Sequence, residues 1–303
     1  MTDGAASISH RMGMSDFLVG LTVVSMMTSA PELVVSITGA VNASAEMAIG
    51  NIVGSNIFNI LIIVGTVALI KPIKIGHGIL INEIPTVILS SALLLVMGNA
   101  PLLDGGPHLL TRVDGIILLF CFMIFMRYTI ATARKSPEPD ATVSAEDTDK
   151  KRLSIMRAIL YLICGLGALI LGGQWFVNGA SGLARILGWS EAMIGLTILA
   201  AGTSLPELAT SVAAARKGYP GMCIGNVIGS NIFNIFFVLG LTSTIFPLEF
   251  GKIGNIDLLT LFGASILFWL FGWIYGNKTI TRSEGALMVL LYITYILVLS
   301  LQT

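Results

Sequence analysis

Nine apolar runs of about 20 residues or more, separated by short polar breaks, organise the chain: 15–41, 45–70, 79–98, 112–133, 154–183, 190–215, 221–246, 255–275 and 284–301. A run of that length crosses the hydrocarbon core of a bilayer as a helix, so the pattern predicts an all-α membrane protein with nine spans. One long polar stretch, from Ser136-Pro137-Glu138-Pro139-Asp140 to Lys150-Lys151-Arg152, is rich in proline, serine and acidic residues and offers no apolar face. It predicts a flexible linker over 134–152 between a first unit, 1–133, and a second, 153–303. About twenty residues are too few for a separate ion-sensing domain.

Two of the runs are interrupted in the same way. Met27-Thr28-Ser29-Ala30-Pro31-Glu32-Leu33 is echoed by Gly202-Thr203-Ser204-Leu205-Pro206-Glu207-Leu208, 175 positions later. At that constant offset, 20–65 and 195–240 share 22 identities in 46 positions, which chance does not produce. Gly50-Asn51 and Gly54-Ser55-Asn56-Ile57-Phe58-Asn59-Ile60 recur as Gly225-Asn226 and Gly229-Ser230-Asn231-Ile232-Phe233-Asn234-Ile235. Farther along, Arg112-Val113-Asp114-Gly115 opens the last span of the first unit as Arg282-Ser283-Glu284-Gly285 opens that of the second. Equivalent spans are five crossings apart. An odd number inverts one copy relative to the other, so the pattern predicts two inverted repeats. Residues 154–177 have no counterpart in the first unit, because Asp3-Gly4-Ala5 aligns with Asn178-Gly179-Ala180. The expectation is a five-plus-five repeat whose first helix is truncated by a misplaced start.

Composition agrees with the hydropathy pattern. The 303 residues are 55% hydrophobic and only 11% charged, with a mean hydropathy of +0.88; soluble domains carry about 25% charge. Net charge is zero, so only its placement informs. With the linker cytoplasmic, 14 of 17 basic residues fall at cytoplasmic ends and only Arg112, Arg185 and Lys252 fall outside. By the positive-inside rule this predicts an internal linker and an external C-terminus. The first residues have neither a basic start nor an apolar core, so no cleavable signal is read. Cys121, Cys164 and Cys223 show no metal or redox spacing, and His10, His77 and His108 assemble no zinc set.

The chemistry therefore rests on oxygen. Proline 31 cannot donate to the carbonyl of Met27, nor proline 206 to that of Gly202, and both disfavour helix at the preceding residue. Each helix is expected to unwind there, and bare carbonyls inside a bilayer must line a cavity or find partners. Glu32 and Glu207 sit one residue farther on, and carboxylates in membrane spans are expensive and usually functional. On the following spans, Asn51, Ser55 and Asn59 share one helix face, as do Asn226, Ser230 and Asn234. Glycines 50, 54, 225 and 229 let neighbouring helices approach. Carboxylates, carbonyls, hydroxyls and amides without thiolate or imidazole select hard cations. Two glutamates balance one Ca²⁺, or two Na⁺, and Mg²⁺ sheds its water reluctantly. Glu83, Asp114, Asp257 and Glu284 lie near span ends, where water, headgroups and helix N-termini accommodate them.

The doubled Gly-Thr-Ser-x-Pro-Glu and Gly-Asn-x-x-Gly-Ser-Asn pattern resembles the cation/calcium exchanger superfamily, in particular its small prokaryotic sodium/calcium exchanger-like branch. The resemblance covers nearly the whole chain. It implies ten helices, a calcium site shared by Glu32 and Glu207, flanking sodium sites, and alternating access by sliding of the first and sixth helices. It further implies that Thr28 and Thr203 supply carbonyls, that Ser29, Ser204, Ser55 and Ser230 serve sodium, and that Asn59 and Asn234 serve the central site. Ser25 and Ala200 are the implied carbonyl positions one turn earlier. Three positions depart from the pattern: Met27 stands where Gly202 keeps the motif glycine, Ala30 where Leu205 stands, and Asn234 where some relatives have aspartate, which implies one fewer formal charge at the site.

The implied function is a secondary antiporter exchanging Ca²⁺ for Na⁺ across a prokaryotic plasma (inner) membrane. No cofactor, nucleic acid or obligate protein partner is expected beyond the ions and the bilayer. No phosphate-binding loop of a pump is present, and no Ser/His or Cys/His pairing suggests an enzyme. Proton coupling is the nearest alternative, since a buried carboxyl can exchange its proton for a metal. A cation-permeable channel or binding protein is the reading if the first helix is genuinely absent.

Overall fold

A computed structural model describes residues 14–42, 44–100, 108–135, 154–274 and 278–301, together with 2, 4, 5, 7 and 105. Most of the 134–152 linker lies outside the described residues. Ten helices carry the fold: α1 (Asp16–Val41), α2 (Ala45–Ile70), α3 (Ile79–Gly98), α4 (Arg112–Thr132), α5 (Met156–Ile186), α6 (Glu191–Thr203), α7 (Leu205–Arg216), α8 (Pro220–Ile245), α9 (Asn255–Trp273) and α10 (Arg282–Leu301). With α6 and α7 counted as one span bent by 41°, they make nine crossings among the described residues, matching the nine apolar runs.

The packing crosses between repeats. α2 and α8 form the centre, with Ile49, Ile52, Val53, Ile57, Ile60 and Ile63 of α2, and Val227, Ile228, Ile232 and Ile235 of α8, wholly buried. α8 crosses α1, and α2 crosses α6. Both crossings need glycine: a Cβ at Gly229 would run into the carbonyl of Leu21, and one at Gly54 into that of Leu196. The small-residue spacing thus works as equivalent notches, each receiving a helix of the opposite repeat.

Two antiparallel ribbons, not anticipated from the sequence, also join the repeats. β1 (Ile73–Lys74) pairs with β4 (Thr279–Ile280), and β2 (Leu109–Leu110) with β3 (Leu248–Glu249). Each strand is only two residues long, too short to register in a hydropathy pattern.

The outer layer is apolar toward the bilayer. α5 leaves Tyr161, Ile163, Leu171 and Trp175 exposed, while α4 presents Phe120 and Ile124. α5 is the least embedded span. It meets the described N-terminal residues through Gly4, which lies against Ala158 and Leu162.

Candidate functional site

The two proline motifs fold alike. Helix stops for a single residue, Ser29 (φ −83°, ψ 7°) or Ser204 (φ −86°, ψ 4°), and resumes at once with proline in its first turn. The expected unwinding is therefore confined to one residue. Proline is tolerated in a helix's opening turn because the N–H it lacks has no acceptor there. Glu32 and Glu207 follow in the same first turn, where a negative charge meets the positive end of the helix dipole.

Wide π turns flank each site, and they recur across the repeats. Gly20–Val24 and Gly195–Leu199 precede the serine breaks, whereas Asn59–Ile63 and Phe233–Leu239 carry Asn59 and Asn234. Such turns are frequent at functional sites because they re-aim side chains within a helix.

The carboxylates are held by the opposite repeats. Ser29 donates to Oε1 of Glu207 at 3.0 Å, and Ser204 donates to Oε1 of Glu32 at 3.3 Å. Ser230 adds a donor to Glu207 at 3.4 Å. Its equivalent, Ser55, instead meets the Thr203 hydroxyl at 3.3 Å and the Ala200 carbonyl at 3.4 Å. Thr203 lies against Glu32 and Thr28 against Glu207. Glu32, Glu207, Ser29, Ser204, Ser55, Ser230, Asn59 and Asn234 are all wholly buried, and the two glutamates lie close enough to repel.

The amides form a second layer. Thr28 donates to Asn226 Oδ1 at 3.2 Å, and Thr203 to Asn51 Oδ1 at 3.1 Å. Asn234 donates to Asn56 Oδ1 at 3.1 Å, while Asn56 donates to the carbonyl of Asn231 at 3.2 Å. Asn56 and Asn231 lie off the Asn-Ser-Asn stripe, so helical spacing alone did not single them out. Their signal was the second amide of each Gly-Asn-x-x-Gly-Ser-Asn motif.

Several buried polar atoms remain without a partner. Oε2 of Glu32, Oε2 of Glu207, Oδ1 of Asn234 and both amide atoms of Asn59 have no hydrogen-bond partner among the described residues. A buried polar atom left so costs about 1–3 kcal/mol. The carbonyls of Ser25 and Ala200 are already engaged: Ser25 accepts from the Ser29 amide at 2.9 Å, and Ala200 from the Ser204 amide at 3.1 Å.

The chain as a whole is similar to known proteins. The profile of the sodium/calcium exchanger protein family matches residues 1–131 and 157–301. The chain belongs to that family. Within it, the "Putative antiporter CaxA" of Alkalimonas amylolytica is 36% identical over 296 residues, covering 96% of this chain and 90% of the relative. The "Sodium/calcium exchanger MaX1" of Methanosarcina acetivorans is 31% identical over 323 residues, covering 97% and 92%. Among solved structures, the sodium-calcium exchanger NCX_Mj superposes with a TM-score of 0.78 at 32% identity, covering 97% of this chain and 90% of that one.

The acidic residues outside the central site have partners at their own helix ends or on a neighbouring helix. Asp114 accepts from the amide and hydroxyl of Thr111 at 2.8 and 2.7 Å, and Glu284 likewise from Thr281 at 2.6 and 2.8 Å. These are equivalent caps of α4 and α10. Asp257 accepts from the Gly254 amide and the Tyr295 hydroxyl, both at 2.9 Å. Glu83, Asp257 and Glu284 depart from the expected solvated span end: all three are buried, Glu83 within α3, where Tyr128 of α4 donates to it at 3.3 Å.

Proposed function

We propose that the protein is a secondary antiporter exchanging Ca²⁺ for Na⁺ across a prokaryotic plasma membrane by alternating access. The observation that carries this reading is the pair of buried carboxylates, each bound through one oxygen by the opposite repeat and each keeping the other oxygen without a donor. Two carboxylates buried in one cluster can be ionised together only with positive charge between them. One Ca²⁺ or two Na⁺ meet the same requirement, so occupancy by one excludes the other, which is the elementary condition for exchange.

In this reading Glu32 and Glu207 bridge Ca²⁺ through Oε2, with Asn59 and Asn234 supplying neutral oxygens. Thr28 and Thr203 contribute carbonyls, while Ser29, Ser204, Ser55 and Ser230 serve sodium beside them. Since each carboxylate is gripped by the opposite repeat, a relative shift of the repeats alters both grips together. Loosely embedded α5 lies across a cavity of about 170 Å³ lined by Pro31, Pro206, Thr203 and Gly173, which leaves room for that shift. Basic-residue placement supports a cytoplasmic linker and an external C-terminus.

The test is ⁴⁵Ca²⁺ uptake into vesicles carrying the purified protein. An outward sodium gradient is expected to drive uptake, and removing sodium to stop it. Equal uptake from a pH gradient without sodium would transfer the coupling to protons.

A further inference from the structure

Away from the central site, a groove of about 530 Å³ opens between α7 and α2. Its walls are Leu208, Val212 and Ala213 with Thr66, and its mouth carries Arg216 and Lys217. The division into apolar walls and a basic mouth at the end of a membrane helix matches one kind of molecule.

The mouth is fixed by the way α7 ends. Gly218 adopts φ +87°, the left-handed region that glycine enters without strain. The Gly218 amide then returns to the Ala215 carbonyl at 3.3 Å, and the Tyr219 amide to the Ala214 carbonyl at 2.8 Å. This closing motif stops the helix immediately after the two basic residues. Thr66 lies one turn before the end of α2, so exposed Lys71 and Lys74 extend the positive charge at the same end. The acidic residues near the adjoining starts of α3 and α10, Glu83 and Glu284, are buried, with Tyr128 and Thr281 bound to them.

We propose that this groove binds an anionic glycerophospholipid, its acyl chain along Leu208, Val212 and Ala213 and its phosphate between Arg216 and Lys217. Basic pockets between membrane helices attract such headgroups, and each basic residue near an anionic surface contributes about fivefold in affinity. A bound lipid braces α7, which begins next to Glu207, against α2, which carries Ser55 and Asn59. The binding claim does not depend on which ions the protein carries.

Native mass spectrometry of the delipidated full chain, titrated with palmitoyl-oleoyl-phosphatidylglycerol or the matching phosphatidylcholine, tests it. The phosphatidylglycerol is expected to bind more tightly. The Arg216→Ala/Lys217→Ala double variant should lose about 25-fold in its affinity, while Arg216→Lys/Lys217→Arg retains the preference. Ala213→Trp, which fills the groove and keeps the charges, should weaken both lipids. Equal affinity for the two headgroups, an unchanged double-alanine variant or an unchanged Ala213→Trp variant would each overturn the proposal. Because the groove-filling and charge-removing variants report separately, misfolding of one leaves the other decisive.

Discussion

Glu207 and Asp114 each occupy the first turn of a helix and each accepts two hydrogen bonds on one oxygen, yet their donors come from different distances. Asp114 takes both from Thr111, three residues earlier. Glu207 takes one from Ser230 and the other from Ser29, 178 positions away in the opposite repeat. A local cap exists wherever its helix exists. A bond from the other repeat exists only while the repeats are docked, so Glu207 and its equivalent Glu32 register how the halves sit. Carboxylates of one chemical kind thus divide into those that end helices and those that report the relation between repeats.

The largest expected effect breaks that division directly. Glu32→Gln or Glu207→Gln leaves one charge where two are needed and should abolish sodium-driven ⁴⁵Ca²⁺ uptake. Truncating one partner of a buried charged pair costs about 2 kcal/mol or more, a factor of at least about 30. Asp114→Asn should leave much of the exchange. Equal loss in all three would place Asp114 in the ion path.

A smaller effect is expected from the donors. Ser29→Ala and Ser204→Ala each remove a hydroxyl bond to the opposite carboxylate. A hydrogen bond to a charged group contributes about 1.5–3 kcal/mol, so sodium half-saturation should rise at least tenfold. Calcium, held by the carboxylates themselves, should be affected less. Equal weakening of both ions would show that the serines position the glutamates without contacting sodium. Thr111→Val is the matching change at the local cap. It should cost about 1 kcal/mol of stability, read as a lower unfolding temperature, and leave the ion affinities unchanged.

These contrasts also explain what could be read from the chain. Nine spans, their inversion and the paired Pro-Glu motifs were legible because a membrane helix and a long repeat impose patterns over many residues. The cross-repeat bonds Ser29–Glu207 and Ser204–Glu32 were not, since the offset names equivalent residues but not which ones touch. Asn56 illustrates the gap: it lies off the amide stripe, yet it meets Asn231 and Asn234 across the repeat interface. Glu83 shows the opposite error. Proximity to a span end suggested water, but Tyr128 on α4 covers it. The serine breaks are tighter than proline chemistry alone implied, because Pro31 and Pro206 fall in the opening turn of a new helix rather than inside an old one.

The smallest effect is expected where the two halves differ in side-chain size. Gly202 lies against Val177 and Phe176 of α5, and a Cβ there would run into Val177. Its equivalent, Met27, packs half-buried against the core. Helix breaks at Ser29 and at Ser204 alike, but only the second span is bent by as much as 41° at its break. Glycine at 202 therefore accommodates α5, a demand that Met27 does not meet in the described structure. Met27→Gly removes apolar contact and adds backbone freedom worth about 1 kcal/mol, so unfolding should shift down by about 2–4 °C while the exchange rate stays within about threefold. If Met27→Gly instead eliminated exchange as completely as Glu207→Gln, the methionine would belong to the transport machinery, and the glycine of the second half would be more than a packing requirement.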